Sequence, residues 1–85
     1  MYNIRKTDKF EKRFNKLPLN IRKKFVKQIH FLVNDFNHPS LHTKKKQGSD
    51  EWEARVDYRY RFTFLVEGNI LVMLSIGMHD EGLKN

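Results

Sequence analysis

Trp52-Glu53-Ala54-Arg55-Val56-Asp57 and, after a two-residue break, Tyr60-Arg61-Phe62-Thr63-Phe64-Leu65-Val66 decide how this chain folds. Apolar and polar residues alternate through both stretches, the period of strands with one buried face. Trp52, Ala54 and Val56 fall on one face, with Glu53, Arg55 and Asp57 on the other. In the second stretch Phe62, Phe64 and Val66 oppose Arg61, Thr63 and Leu65. Glu67-Gly68-Asn69 reads as a hairpin turn, because Gly and Asn tolerate positive φ. Residues 70–76 are strongly β-forming and apolar on both faces, as expected of an interior strand.

Upstream the period changes. Residues 2–5 read as a short opening strand. Thr7 or Asp8 then caps a helix, with Glu11 three residues beyond Asp8. Phe10, Phe14 and Leu17 recur at helical spacing, and Pro18 ends this helix and opens the next. The second helix is predicted over residues 18–36, burying Ile21, Phe25, Ile29, Leu32, Val33 and Phe36. Its near-direct join to the first implies a helix hairpin. His38-Pro39-Ser40 stops the pattern. The predicted fold is α+β, a single domain over residues 1–85 in the order β-α-α-β-β-β. The helix hairpin packs on one face of a mainly antiparallel sheet.

Burying Trp52, Ala54, Val56, Phe62, Phe64 and Val66 under the helices leaves Glu53, Arg55 and Arg61 on the opposite, open face. His79 follows the last strand with the parity of Met73, Ser75 and Gly77, and so points to the same face. One slip of register would undo this placement.

The chain has 85 residues, enough for one domain with a thin core. Seven Phe and an apolar fraction of 39% mark a folded chain. The absence of Cys excludes disulfides, thiolate zinc sites and thiol nucleophiles. The N-terminus lacks the apolar core of a signal peptide, and the longest apolar run, nine residues at 70–78 broken by Ser75 and Gly77, is too short to cross a bilayer. A cytoplasmic protein without a membrane partner is expected.

Net charge is +7 and uneven. Residues 1–50 carry thirteen Lys/Arg and four Asp/Glu (+9), and residues 51–85 carry four and six (−2). Such a field attracts polyanions, either nucleic acid or an acidic protein. Lys44, Lys45 and Lys46, Arg22, Lys23 and Lys27 on the second helix, and Arg59 with Tyr58 in the turn between strands are the candidate RNA-binding residues. Tyr58 offers a ring for base stacking.

Glu53, Arg55, Arg61 and His79 are the candidate catalytic residues. In RNA the 2′-hydroxyl attacks the adjacent phosphate, so the substrate brings its own nucleophile. Arg binds two phosphate oxygens at once. His transfers protons near neutrality. Glu53, or a Lys, is the candidate base. The scheme requires neither metal nor cofactor. Set against it, Arg55 and Glu53 would merely pair with neighbours on a solvated face, and Asp80 would hold the His79 imidazole in a turn. His38 and His42 fall in a loop with no third ligand nearby, so no metal site is assigned. His30 is a surface position, and Trp52 belongs to the core.

The segment at 48–64, the strand at 70–76 and Gly77-Met78-His79-Asp80 together resemble the RelE/ParE toxin superfamily. The common pattern is a basic two-helix hairpin, a Lys-rich stretch ending in Gly, "W-x-x-R-V" and "Y-R-F" strands, then "I-G-x-H". The resemblance covers nearly the whole chain and rests on order and spacing rather than on one motif. It implies a toxin of a toxin–antitoxin module that cuts mRNA on the ribosome. It also implies an acidic antitoxin, the ribosome and mRNA as partners, with no small-molecule cofactor. Arg61 corresponds to a phosphate-binding Arg, Arg55 to a basic or His position, and His79 to the strand-end position for leaving-group protonation or phosphate contact. Lys44 lies near a loop position assigned to proton transfer elsewhere. The chain departs from the pattern at Glu53, where some relatives carry Lys, and at Asp80 and Glu81, where a Tyr is often found. Two other readings stay open: a ParE-like DNA gyrase inhibitor, and a catalytically inactive RNA- or antitoxin-binding module.

Overall fold

The computed structural model describes residues 1–78. His79 therefore lies outside the described residues. The strands are β1 (Asn3–Lys6), β2 (Lys44–Lys45), β3 (Trp52–Arg55), β4 (Tyr60–Glu67) and β5 (Ile70–Met78), and the helices are α1 (Asp8–Asn15) and α2 (Leu19–Asn34). They form one five-stranded sheet in the order β1-β5-β4-β3-β2. Only the β1–β5 pair is parallel. The α+β order is the expected one, with β2 and a 3-10 turn (Pro39–Leu41) added between α2 and β3.

Local chemistry sets the element ends. Thr7 caps α1, its Oγ1 accepting from Phe10 N at 3.2 Å. The same hydroxyl donates to Met73 O at 2.9 Å, tying the helix start to β5. Pro18 is extended (φ −55°, ψ 148°), so it precedes α2 instead of opening it. Asp35 is extended too, which turns Phe36 off the end of α2. Phe36 instead packs edge-on against Trp52 at 5.0 Å and beside Tyr2 at 5.9 Å. Gly68 takes φ +62° in the β4–β5 turn, where a side chain would be strained.

The core lies between the helices and one sheet face. Phe10, Phe25, Leu32, Ala54, Phe62, Phe64, Leu71 and Met73 are buried there, and Phe25 meets Phe62 edge-to-face at 5.1 Å. Each Phe, Leu and Met side chain among them contributes about 1.5–3 kcal/mol by leaving water. Two expectations need correction. Val66 is 36% exposed, because β3 begins at Trp52 opposite Phe64 and leaves Val66 without a strand neighbour on that side. Met73 is buried in the core rather than on the open face. The cause is a β-bulge: Thr63 pairs with Ser75, but Phe64 pairs with Met73, so Leu74 is skipped and the side-chain parity of β5 reverses.

Candidate active site

Strand pairing arranges the sheet face away from the helices into rows. One row is Lys44–Glu53–Thr63–Ser75, and the next is Arg55–Arg61–Gly77. The bulge lies beyond both rows, so Ser75 and Gly77 keep the orientation expected from the sequence. Thr63 and Ser75 share a buried hydroxyl–hydroxyl bond of 2.7 Å. Glu53 is only 8% exposed and faces Lys44, with Oε1 to Nζ at 3.8 Å.

The arginine row is different. Arg55 and Arg61 are direct cross-strand partners. Like charges placed so are destabilising. Among the described residues no carboxylate lies within ion-pair distance of either guanidinium; the carboxylates that pair do so with Lys24, Lys44 and Lys46. Arg61 is nonetheless held firmly. Its Nη1 donates toward the carbonyls of Asp57 (2.9 Å), Tyr58 (3.0 Å) and Tyr60 (3.3 Å). Among the described residues Nε and Nη2 meet no acceptor, which leaves one edge of the fork for a ligand.

The loop that supplies those carbonyls is organised by Asp57. Its Oδ1 accepts from Arg59 N and Tyr60 N, both at 2.9 Å, and its Oδ2 pairs with Lys24 Nζ of α2 at 3.2 Å. Burial raises the pKa of this carboxyl, but the two backbone donors and the Lys24 ammonium outweigh it, and the net value lies below the ordinary Asp range.

A cavity of about 500 Å³ unites these parts. It is lined by His42, Thr43, Lys44, Glu53, Ala54, Arg55 and Arg61. Arg55, Arg61, Glu53 and Lys44 are thus brought together as the sequence implied. The other basic candidates lie elsewhere. Lys45 and Lys46 line a separate depression with Asp50, and Lys46 pairs with Glu51 at 3.6 Å. Lys23 and Lys27 are exposed on α2, and Arg22 spends its Nε on Leu17 O at 3.2 Å, closing the turn between the helices. Arg59 is exposed, and Tyr58 is 76% exposed at the tip of the β3–β4 loop. Trp52 packs against the core as expected.

Sequence reasoning missed His42 as a lining residue and Gln28 as a support. Gln28 is 6% exposed on α2, and its Nε2 donates to Arg55 O at 3.0 Å and Ser40 O at 3.3 Å. A polar residue at a core-facing helical position was the available signal.

The chain shares its fold with solved RelE structures. A copper-bound mutant toxin from Helicobacter pylori superposes with a TM-score of 0.78 at 23% identity, covering 95% of this chain and 98% of that one. RelE in the archaeal RelE–RelB complex from Pyrococcus horikoshii OT3 gives 0.78 at 17% identity, with coverage of 94% and 97%. The isolated E. coli RelE toxin gives 0.74 at 17%, covering 92% of this chain and 84% of its own. No family model and no curated protein sequence matches the chain.

Proposed function

We propose that this protein is the toxin of a toxin–antitoxin pair, an endoribonuclease that cuts mRNA on the ribosome. The observation that carries the reading is the Arg55–Arg61 pair, two adjacent cations in one cavity with no carboxylate between them among the described residues. A phosphodiester supplies the missing anion. Arg55 and the free edge of Arg61 bind its two non-bridging oxygens and stabilise the charge that grows there as the 2′-oxygen attacks phosphorus. The 2′-O–P bond forms, the P–O5′ bond breaks, and the products are a 2′,3′-cyclic phosphate and a 5′-hydroxyl. In this reading His79 donates the proton that the 5′-oxygen takes. Glu53, covered and facing Lys44, holds that lysine at the cavity wall.

The exposed cations of α2 and Arg59 dock ribosomal RNA, and Tyr58 stacks on a base. That docking weakens steeply with salt, because each phosphate contact releases a counterion. The cationic surface also suits an acidic antitoxin; the Pyrococcus horikoshii relative was solved in complex with RelB. No helix among the described residues is long and apolar enough to cross a membrane.

The test is to express the chain and map mRNA ends with and without ribosomes. Wild type should cut, and Arg61→Ala should cut at least about 100-fold more slowly, the scale of losing one charge-stabilising donor. Arg61→Lys should recover little, since an ammonium lacks the fork. Inhibition of DNA gyrase supercoiling with no RNA cleavage would replace this reading by the ParE-like one. Folded protein inert in both assays would replace it by a binding module.

A further inference from the structure

We infer that His42 is the base that takes the 2′-hydroxyl proton. The inference rests on the cleavage reading above and adds the group which that reading lacks. His42 lines the same cavity as Arg55 and Arg61, and it is solvent-exposed. Of the base candidates read from the sequence, Glu53 is covered and faces the ammonium of Lys44, which it pairs at 3.8 Å.

The backbone of His42 is unusual. It takes φ 48°, ψ 46°, the left-handed region, and among the described residues no other non-glycine has positive φ. Residues held in such conformations concentrate at functional sites, where surrounding structure over-determines them. That structure is present here. The His42 amide donates to Pro39 O at 3.4 Å, closing the 3-10 turn. Ser40 within the turn donates its hydroxyl to Gln28 Oε1 at 3.4 Å, and its carbonyl accepts from Gln28 Nε2. The same amide nitrogen bonds Arg55 O. One buried side chain thus fixes the turn carrying His42 to the strand carrying Arg55. Thr43, the next residue, also lines the cavity, and its buried hydroxyl has no protein partner.

In the reaction, neutral imidazole accepts the proton as the 2′-O–P bond forms. The P–O5′ bond breaks, the 5′-oxygen takes its proton from the acid of the proposed site, and the imidazolium returns its own to water. Imidazole suits this exchange because its two forms interconvert near neutrality.

His42→Asn tests the assignment, because Asn tolerates left-handed backbone and cannot act as the base. Ribosome-bound mRNA cleavage is measured for wild type and variant across pH, alongside binding of each to ribosomes programmed with 2′-deoxy-substituted mRNA. The expected result is a rate loss of about 10²–10⁴-fold, the contribution of general base catalysis. Binding should be unchanged, and the rising limb of the wild-type pH profile should be absent from the variant. Cleavage by the variant with an unchanged profile overturns the His42 assignment and leaves the nuclease reading standing. A rate loss matched by an equal loss of binding also overturns it, giving His42 a docking role. Wild-type protein that cuts no RNA overturns both.

Discussion

Replacing Gln28 by Met should separate the support of the cavity from the cavity itself. Gln28 Nε2 serves two carbonyls, Arg55 O at 3.0 Å and Ser40 O at 3.3 Å, and Met supplies no donor. A covered acceptor left without a partner costs about 1–3 kcal/mol. Ser40 is exposed, so its carbonyl recovers a water, and the Arg55 carbonyl accounts for most of the loss. The thioether returns part of it by burying apolar surface at about 25 cal/mol per Å². A net loss of about 1–2 kcal/mol is expected, which lowers Tm by roughly 4–16 °C in a domain of this size. Gln28→Glu sharpens the test. Its carboxylate would present only acceptors to two carbonyls, whereas its protonated form restores one donor. Folding therefore raises the pKa of this new carboxyl. Its contribution is fully present below the unfolded Glu value of about 4.3 and is lost as pH rises through the folded value. Denaturant melts of all three proteins between pH 4 and 8 measure both effects. A Met variant as stable as wild type, or a Glu variant whose stability follows the wild-type pH curve, would show that the amide does not hold the turn to β3.

Thr7→Ala should cost about 1 kcal/mol for the lost cap, and somewhat more through the lost bond to Met73 O, while Thr7→Ser should be near neutral; urea midpoints decide it. Asp57→Asn should reduce acid sensitivity. The folded pKa of Asp57 lies below its unfolded value, so its stabilisation is present above about pH 4 and is lost as pH falls through the folded value. Wild type should thus lose more stability than the variant in the acid limb of a pH–stability curve, and parallel curves would contradict the assignment.

The alternation at 52–56 and 60–64 was enough to read the sheet, because one face lies under aromatic residues and the other does not. The arginine row followed from the same parity. Two things were not legible. The bulge at Leu74 arises where β1 ends and Thr7 bonds to Met73 O, a contact between residues 66 apart in sequence. Apolar residues on both faces of β5 give no parity break to betray it. The role of His42 was hidden as well. Its loop is placed against the sheet by Gln28, whose burial depends on three elements meeting, and β2 is only two residues long. A strand so short has no period to read.

The charge pattern argues for where chemistry belongs on this surface. Of seventeen cationic side chains twelve are exposed, eight of them on the helices and loops, where solvent screens them and exact placement matters little. On the sheet face the fold pairs charge carefully in one row, setting Lys44 against Glu53, and in the adjacent row it sets Arg55 against Arg61. It then commits three backbone carbonyls to orienting the second guanidinium. A surface shaped for stability alone would place a carboxylate at one of those positions. The pair, uncompensated among the described residues and with Arg61 firmly held, is instead a local conflict of the kind natural sequences keep at functional sites. An anion between the two guanidinia removes the conflict, so binding such a ligand stabilises both the complex and the strand pair beneath it.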